Sequence, residues 1–178
     1  TAWLAERQAG EMLDLVGPLG HGFPLVDADK KAVLVGGGIG TPPLLPVARF
    51  YGQNATVITG FRNGNAAILQ DDFTAAGAAA ILCTDDGSAG FHGFTTQAME
   101  AHLDAHPCDV VYTCGPKVMM KRVAAMALER GIPCYVSMEE RMACGIGACL
   151  ACVCKSTEKD AHSNVKNKRV CKEGPVFR

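Results

Sequence analysis

Five of the nine cysteines, Cys144, Cys149, Cys152, Cys154 and Cys171, fall in the last 40 of 178 residues. Cys144-Gly-Ile-Gly-Ala-Cys149-Leu-Ala-Cys152, followed by Cys171 after eighteen intervening residues, has the Cys-x4-Cys-x2-Cys and distant Cys spacing of a plant-type 2Fe-2S cluster. Gly145 and Gly147 can adopt positive φ, which lets the loop wrap closely and turns backbone amides toward thiolates and sulfides. Cys144, Cys149, Cys152 and Cys171 are therefore the predicted metal ligands, with Cys154 as the spare. The alternative is a structural zinc site, but such modules more often pair two short Cys-x2-Cys clips, and here only Cys149 to Cys152 forms one. A stretch of about 40 residues rarely buries enough surface to fold unaided, so a metal centre accounts for residues 139–178 as a small domain.

A second constellation is glycine-rich. Gly36-Gly37-Gly38-Ile39-Gly40-Thr41-Pro42-Pro43 follows an apolar run and opens a helical pattern, where bare amides and a helix start can hold a pyrophosphate. It departs from the Rossmann fingerprint, because the third glycine of G-x-G-x-x-G falls at Thr41 and no acidic residue closes the second strand. Gly60, Phe61 and Arg62 stand there instead, and Arg62 can pair with an adenosine phosphate or stack on adenine. Thr84-Asp85-Asp86-Gly87-Ser88 and Cys114-Gly115-Pro116 end two further strands on the same side, so these loops converge on one nucleotide crevice. Asp85 and Asp86 read as turn residues, and Cys114 reads either as a small apolar residue or as a thiol beside a reacting ring. The glycines alternatively mark only a tight strand-to-helix turn. The five histidines show no metal spacing and read as surface or loop groups.

The elements that must position these residues follow from periodicity. Short apolar runs over 32–37, 55–60, 80–84, 109–114 and 133–137 alternate with helical patterns over 42–51, 65–73, 95–106 and 116–130. Right-handed crossovers then give an α/β fold with a five-stranded doubly wound parallel sheet of order 3-2-1-4-5, its ligands at the carboxyl ends of the strands. Met119 and Met126 in the last helix read as core filler on a stripe with Val118, Arg122, Val123 and Ala127. Residues 1–31, with a possible helix over 2–8, a strand-like run over 11–16 and a turn-rich stretch from Gly17 to Phe23, read as the remnant of an upstream domain and its hinge. Residues 32–138 read as the nucleotide-binding domain.

Composition limits the function classes. With 48% apolar and 20% charged residues the chain is globular rather than disordered. A formal charge of −1 gives no general field for nucleic acid. No apolar run approaches the roughly 18 residues that cross a bilayer. The chain begins at Thr1, with no signal-peptide pattern after it, and reads as starting at a cut. The crowded, unpaired cysteines suit a reducing, cytoplasmic compartment.

Gly36 to Pro43, Thr84 to Ser88, Cys114 to Met120, Tyr135-Val-Ser-Met-Glu-Glu-Arg-Met-Ala-Cys144 and Val170-Cys-Lys-Glu-Gly-Pro-Val-Phe177 together resemble the electron-transfer subunits of NAD-linked (class 1B) dihydroorotate dehydrogenase. This is a branch of the ferredoxin-reductase-like flavoproteins, and the likeness covers nearly the whole chain. The resemblance implies a 2Fe-2S cluster, FAD and NAD as cofactors, and an FMN-containing dihydroorotate dehydrogenase catalytic subunit as partner in a heterotetramer. It further implies that the upstream flavin β-barrel is mostly absent, that Thr1 is the small hydroxyl residue at the flavin pyrophosphate, and that Gly17-Pro18-Leu19-Gly20 is the hinge. NAD(H) is then expected across Gly38, Gly40, Thr41, Gly60, Arg62 and Cys114, and no general acid or base need come from this chain. Two other readings stay open: an NAD(P)H-linked subunit serving a ferredoxin, sulfur or sulfite reductase, and a non-catalytic zinc-stabilised nucleotide-binding module.

Overall fold

The structure, a computed structural model, describes residues 2–160 and 164–178. Thr1 and His162 lie outside the described residues. In chain order the elements are α1 (Ala2–Ala5), β1 (Ala32–Gly37), α2 (Leu45–Tyr51), β2 (Ala55–Phe61), α3 (Gln70–Ala75), β3 (Ala79–Thr84), β4 (Phe91–His92), α4 (Thr95–Ala105), β5 (Val110–Cys114), α5 (Lys117–Glu129), β6 (Cys134–Ser137), β7 (Val153–Lys155), β8 (Asn167–Arg169) and β9 (Val176–Phe177).

The main sheet runs β4-β3-β2-β1-β5-β6-β9. Its middle five strands are parallel and in the expected 3-2-1-4-5 order. The sheet has seven strands rather than five because β4 adds to β3 through Cys83↔Phe91 and Thr84↔His92, and β9 adds antiparallel to β6 through Val136↔Phe177 and Ser137↔Val176. Each added strand is two residues long, too short to show any periodicity. No helix among the described residues is long and apolar enough to cross a membrane.

Both faces of the sheet are covered, which is why β1 is a continuous apolar run with all six residues buried. Ala32 and Leu34 point to one face and pack with Val47, Ala48 and Phe73 of α2 and α3, whereas Val33 and Val35 point to the other and meet Met99, Val123 and Ala127 of α4 and α5. The buried face of α5 is centred on Met120, Val123 and Ala127. Met119 and Met126 flank that core, while Val118 is exposed, so the expected stripe is rotated by part of a turn.

Two expectations about local structure are corrected. The helix over 65–73 is interrupted, because Leu69 adopts φ 63°, and the chain forms a 3-10 turn at Gly64–Ala66 before α3 begins at Gln70. The run over 11–16 is not a strand. Met12 and Leu15 are 94% and 86% exposed there, so their apolar side chains find no sheet to cover.

The segment before β1 is nonetheless anchored. The Tyr112 hydroxyl donates to the Pro24 carbonyl at 2.9 Å and lies 2.8 Å from the Tyr51 hydroxyl, which accepts from the Val26 amide at 3.2 Å. Phe23 packs edge-on against Tyr112. Further upstream, the His21 amide donates to the Gly174 carbonyl, and its Nδ1 lies 3.0 Å from the Lys172 carbonyl. His21 thus joins the two ends of the chain rather than sitting free on a loop. His102 on α4 and His106 just after it bring their rings together, centroids 4.7 Å apart and planes tilted at 38°.

Candidate functional site

The site is built at the carboxyl edge of the sheet, where β1, β2, β3, β5 and β6 end. The glycine stretch after β1 makes a 3-10 turn, Gly38–Gly40, and a second one, Pro42–Leu44, before α2 starts. Two successive prolines remove amides from that start, so the donors left for a phosphate are those of Gly38, Ile39 and Gly40. Several of the glycines serve a different purpose. A Cβ on Gly40 would sit 2.4 Å from the Cys114 carbonyl oxygen and 2.6 Å from the Gly115 Cα, and one on Gly37 would sit 2.6 Å from Pro116 Cδ. Gly115, at φ +149°, faces the Gly37 backbone in return. The ends of β1 and β5 therefore meet backbone to backbone, which only glycine permits.

Two cavities open on either side of this contact. The first, about 890 Å³, lies over β1, β2 and the starts of α4 and α5, and includes Gly38, Gly60, Arg62, Asp85, Thr95 and Arg122 in its lining. A Cβ on Gly60 would lie 2.5 Å from Thr95 Cγ2, so this glycine lets the α4 start approach the strand end. The second cavity, about 630 Å³, is lined by Gly38, Gly40, Cys114 and Lys117 and by Ser137 through Arg141. Burial pushes the Cys114 thiol up, opposed by a hydrogen bond with Ser137, so it is a neutral thiol at physiological pH.

Of the six residues expected at NAD(H), Gly38, Gly60 and Arg62 line the first cavity and Gly38, Gly40 and Cys114 the second. Thr41 lines neither. It is fully buried, and its hydroxyl has no hydrogen-bond partner among the described residues. Asp85, Thr95 and Arg122 were missed by sequence reasoning, because they come from three different elements. One signal did exist for Asp85. Asp86 is the turn residue of that pair, its carboxylate accepting from the Ser88 amide at 2.9 Å and hydroxyl at 2.6 Å, and those bonds hold its pKa below the usual carboxylate range. Asp85 is left to face the cavity.

The cysteine segment follows the second cavity directly. Cys152 and Cys171 are buried at 3% and 5% exposure and pack with Val170, Met138 and Phe177. The Cys171 amide donates to Cys152 Sγ at 3.4 Å, and the amides of Ala148 and Cys149 donate to Cys144 Sγ at 3.3 and 3.4 Å. Hydrogen bonds from the backbone of Cys149 and Ile146 bring the Cys144 thiol down to about 6. The hydrogen bond between Cys171 and Cys152, reinforced by burial, pushes the Cys171 thiol up. Amide-to-sulfur bonds thus link the ligand candidates in two pairs, Cys149 with Cys144 and Cys171 with Cys152. Among the described residues no three His, Cys, Asp or Glu side chains converge on a single ion site. Pairs of thiols with amide donors aimed at sulfur fit a two-iron cluster, in which the ligands are shared between two metals. Gly145 and Gly147 have φ of 71° and 85°, as the wrapping loop requires. Cys154 lies on β7, paired with Lys168 of β8.

The iron-sulfur cluster binding domain of dihydroorotate dehydrogenase B matches residues 139–178. The whole chain is 44% identical to the electron transfer subunit of dihydroorotate dehydrogenase B (NAD(+)) from Geobacillus kaustophilus and 45% identical to that from Geobacillus thermodenitrificans, spanning 68% of each relative. The corresponding subunit from Desulforamulus reducens is 38% identical over 99% of this chain and 68% of its own length. Among solved structures, one described as an NADH-dependent reduced ferredoxin-NADP oxidoreductase, studied for flavin-based electron bifurcation, superposes with a TM-score of 0.82 at 31% identity. That match covers 99% of this chain and 62% of the other. The C-terminal domain of a Pyrococcus furiosus hydrogenase, at 20% identity and a TM-score of 0.53, shares the fold. With the paired cysteines, the strand-end cavities and these likenesses across this chain in agreement, the chain belongs to the family of electron-transfer subunits of dihydroorotate dehydrogenase B.

Proposed function

We propose that this chain relays electrons between an FMN-bearing dihydroorotate dehydrogenase subunit and NAD, with Cys144, Cys149, Cys152 and Cys171 holding a 2Fe-2S cluster and the two strand-end cavities receiving NAD(H) and the reactive part of FAD. One observation carries the reading: Ser137 through Arg141 wall the second cavity and lead within three residues to Cys144, so a single short peptide joins the nucleotide edge to the cluster ligands. When bound, the cluster and flavin supply one-electron and hydride transfer respectively. The protein positions them. Gly38, Ile39 and Gly40 present amides to a pyrophosphate, Arg62 and Arg122 offer guanidinium groups at the adenosine end, and Ile39, Phe94 and Met119 offer apolar surface to the bound cofactor. Cys114, Ser137 and Glu139 surround the second cavity without a proton-transfer role. Residues 1–31 and 139–178 act as flavin-side hinge and cluster domain around the nucleotide domain 32–138, and all nine cysteines are unpaired, which suits the cytoplasm. The exposed loop side chains Met142, Ile146, Leu150 and Val153 supply the apolar surface for docking the FMN subunit in a heterotetramer.

The test is co-expression of the intact subunit with the candidate FMN protein, followed by sedimentation and assay. A stable heteromer that reduces NAD with dihydroorotate supports the relay. Two separately sedimenting proteins, with this one reducing ferredoxin from NADH, would overturn it in favour of the reductase reading.

A second expectation concerns cofactor choice. Asp85 is the carboxylate among the residues lining the first cavity, and an acidic group at a strand end accepts from an adenosine ribose hydroxyl and repels a 2′-phosphate. Asp85→Asn should weaken NADH binding on the order of tenfold, about 1.4 kcal/mol, and bring NADPH closer to NADH in affinity. Titration of both nucleotides against the two proteins measures the ratio. An unchanged ratio removes Asp85 from the ribose site.

A further inference from the structure

We infer that Arg169 is a positioning residue for the iron-sulfur centre, its guanidinium locking the loop that carries Cys144 and Cys149 onto the turn that carries Cys171, and thereby setting the cluster's reduction potential. This rests on the assignment of the cluster to Cys144, Cys149, Cys152 and Cys171. Arg169 closes β8, two residues before Cys171. Its side chain is only 11% exposed, unlike most arginines, and all of its polar capacity turns inward. One terminal nitrogen donates to the Gly147 carbonyl at 3.0 Å. The other terminal nitrogen and Nε grip the Glu173 carboxylate, with Nε 3.1 Å from both oxygens, and the Arg169 amide donates to the same carboxylate at 2.6 Å. Asp160, itself 13% exposed, lies 4.0 Å away.

Gly147 is the connection to the metal ligands. It lies between Cys144 and Cys149 and is buried. The peptide that follows Gly147 is held by Arg169 through its carbonyl, so the guanidinium fixes where the loop crosses the Cys171 turn. Glu173 completes the clamp on the other side of Cys171, and the Glu173 and Gly174 amides donate to the Arg169 carbonyl. A planar fork that spans a carbonyl and a carboxylate in fixed directions suits arginine, whereas an ammonium is a compact point charge whose donors are not held apart.

The electrostatic consequence has a definite sign. Reduction adds a negative charge to the centre. A nearby buried cation and amide donors aimed at sulfur stabilise that charge, and a nearby carboxylate opposes it. Arg169→Gln removes the cation and frees Gly147, so it should lower the potential. Arg169→Lys keeps the charge but not the fork and should lower it by less. Glu173→Gln removes the opposing charge and should raise it.

The experiment is an EPR-monitored redox titration of anaerobically purified full-length subunit, with iron and acid-labile sulfide measured on each protein. Arg169→Gln should shift the oxidised-to-reduced ratio at a fixed poise about tenfold toward oxidised, equivalent to 59 mV for one electron, with altered g-values. If Arg169→Gln does not retain the cluster, Arg169→Lys and Glu173→Gln decide by their opposite displacements. Wild-type potential and g-values in all loaded variants would overturn the inference. Wild-type protein without iron and sulfide would instead overturn the cluster assignment on which it rests.

Discussion

Replacing Cys171 by Ser should abolish the visible spectrum and the acid-labile sulfide of anaerobically purified protein, while replacing Cys154 should leave both intact. Cys171 is buried, donates its amide to Cys152 Sγ and shares a small core with Cys152 and Val170. A hydroxyl there is a poor iron ligand and leaves one of the two thiol pairs incomplete. The loss is all or none rather than graded, because residues 139–178 have little else to hold them: the core of the segment consists of Cys152, Val170 and Cys171, flanked by Met138, Cys154 and Phe177. Cys154 shares that contact but is fixed by the β7 and β8 ladder opposite Lys168, outside the Cys144 to Cys152 loop. Iron and sulfide analysis with absorption spectra of the two variants decides. One equivalent of zinc without sulfide in the wild type, or loss of the spectrum in the Cys154 variant, would reject this ligand set.

The parts of the molecule that were legible in the sequence are those whose signal is local. Ala32–Gly37 is an apolar run because both of its faces are buried, and the order of the five parallel strands follows from crossover handedness. The cysteine spacing was legible because Cys144, Cys149 and Cys152 are written along one loop. Phe91–His92 and Val176–Phe177 were not, since a two-residue strand exists only through its partner. The run over 11–16 shows the converse: Met12, Leu13, Leu15 and Val16 supply apolar residues with strand-like spacing, yet all four are exposed and no ladder forms. Asp85, Thr95 and Arg122 were hidden for a third reason. Each is ordinary in its own segment, and only the alignment of β3, α4 and α5 at one sheet edge brings them to the same cavity.

The glycine loop was legible in position but not in purpose, and this changes what a mutation there should do. The glycine stretch read as a pyrophosphate cradle makes Gly40 a position where a side chain would meet the ligand. Instead any Cβ at Gly40 meets the Cys114 carbonyl at 2.4 Å, and the obstructing atoms are backbone of the β1–β5 pair, which cannot rotate away. Gly40→Ala should therefore act before any ligand binds. Overpacking at such a contact costs about 3 kcal/mol, roughly 6–12 °C in Tm for a domain of this size, and parting the two loops should weaken NADH binding at least tenfold. Gly38 provides the control. It has φ +53° and nothing within 4 Å of a Cβ, so Gly38→Ala costs only backbone strain of about 1 to 2 kcal/mol and leaves the Cys114 contact closed. Thermal melts and NADH titrations of the full-length variants separate the two effects. A Gly40→Ala protein that melts and binds like the wild type would show that the β1 and β5 ends do not meet as tightly as this, and a Gly38→Ala protein with the larger loss would return the loop to a role in phosphate contact alone.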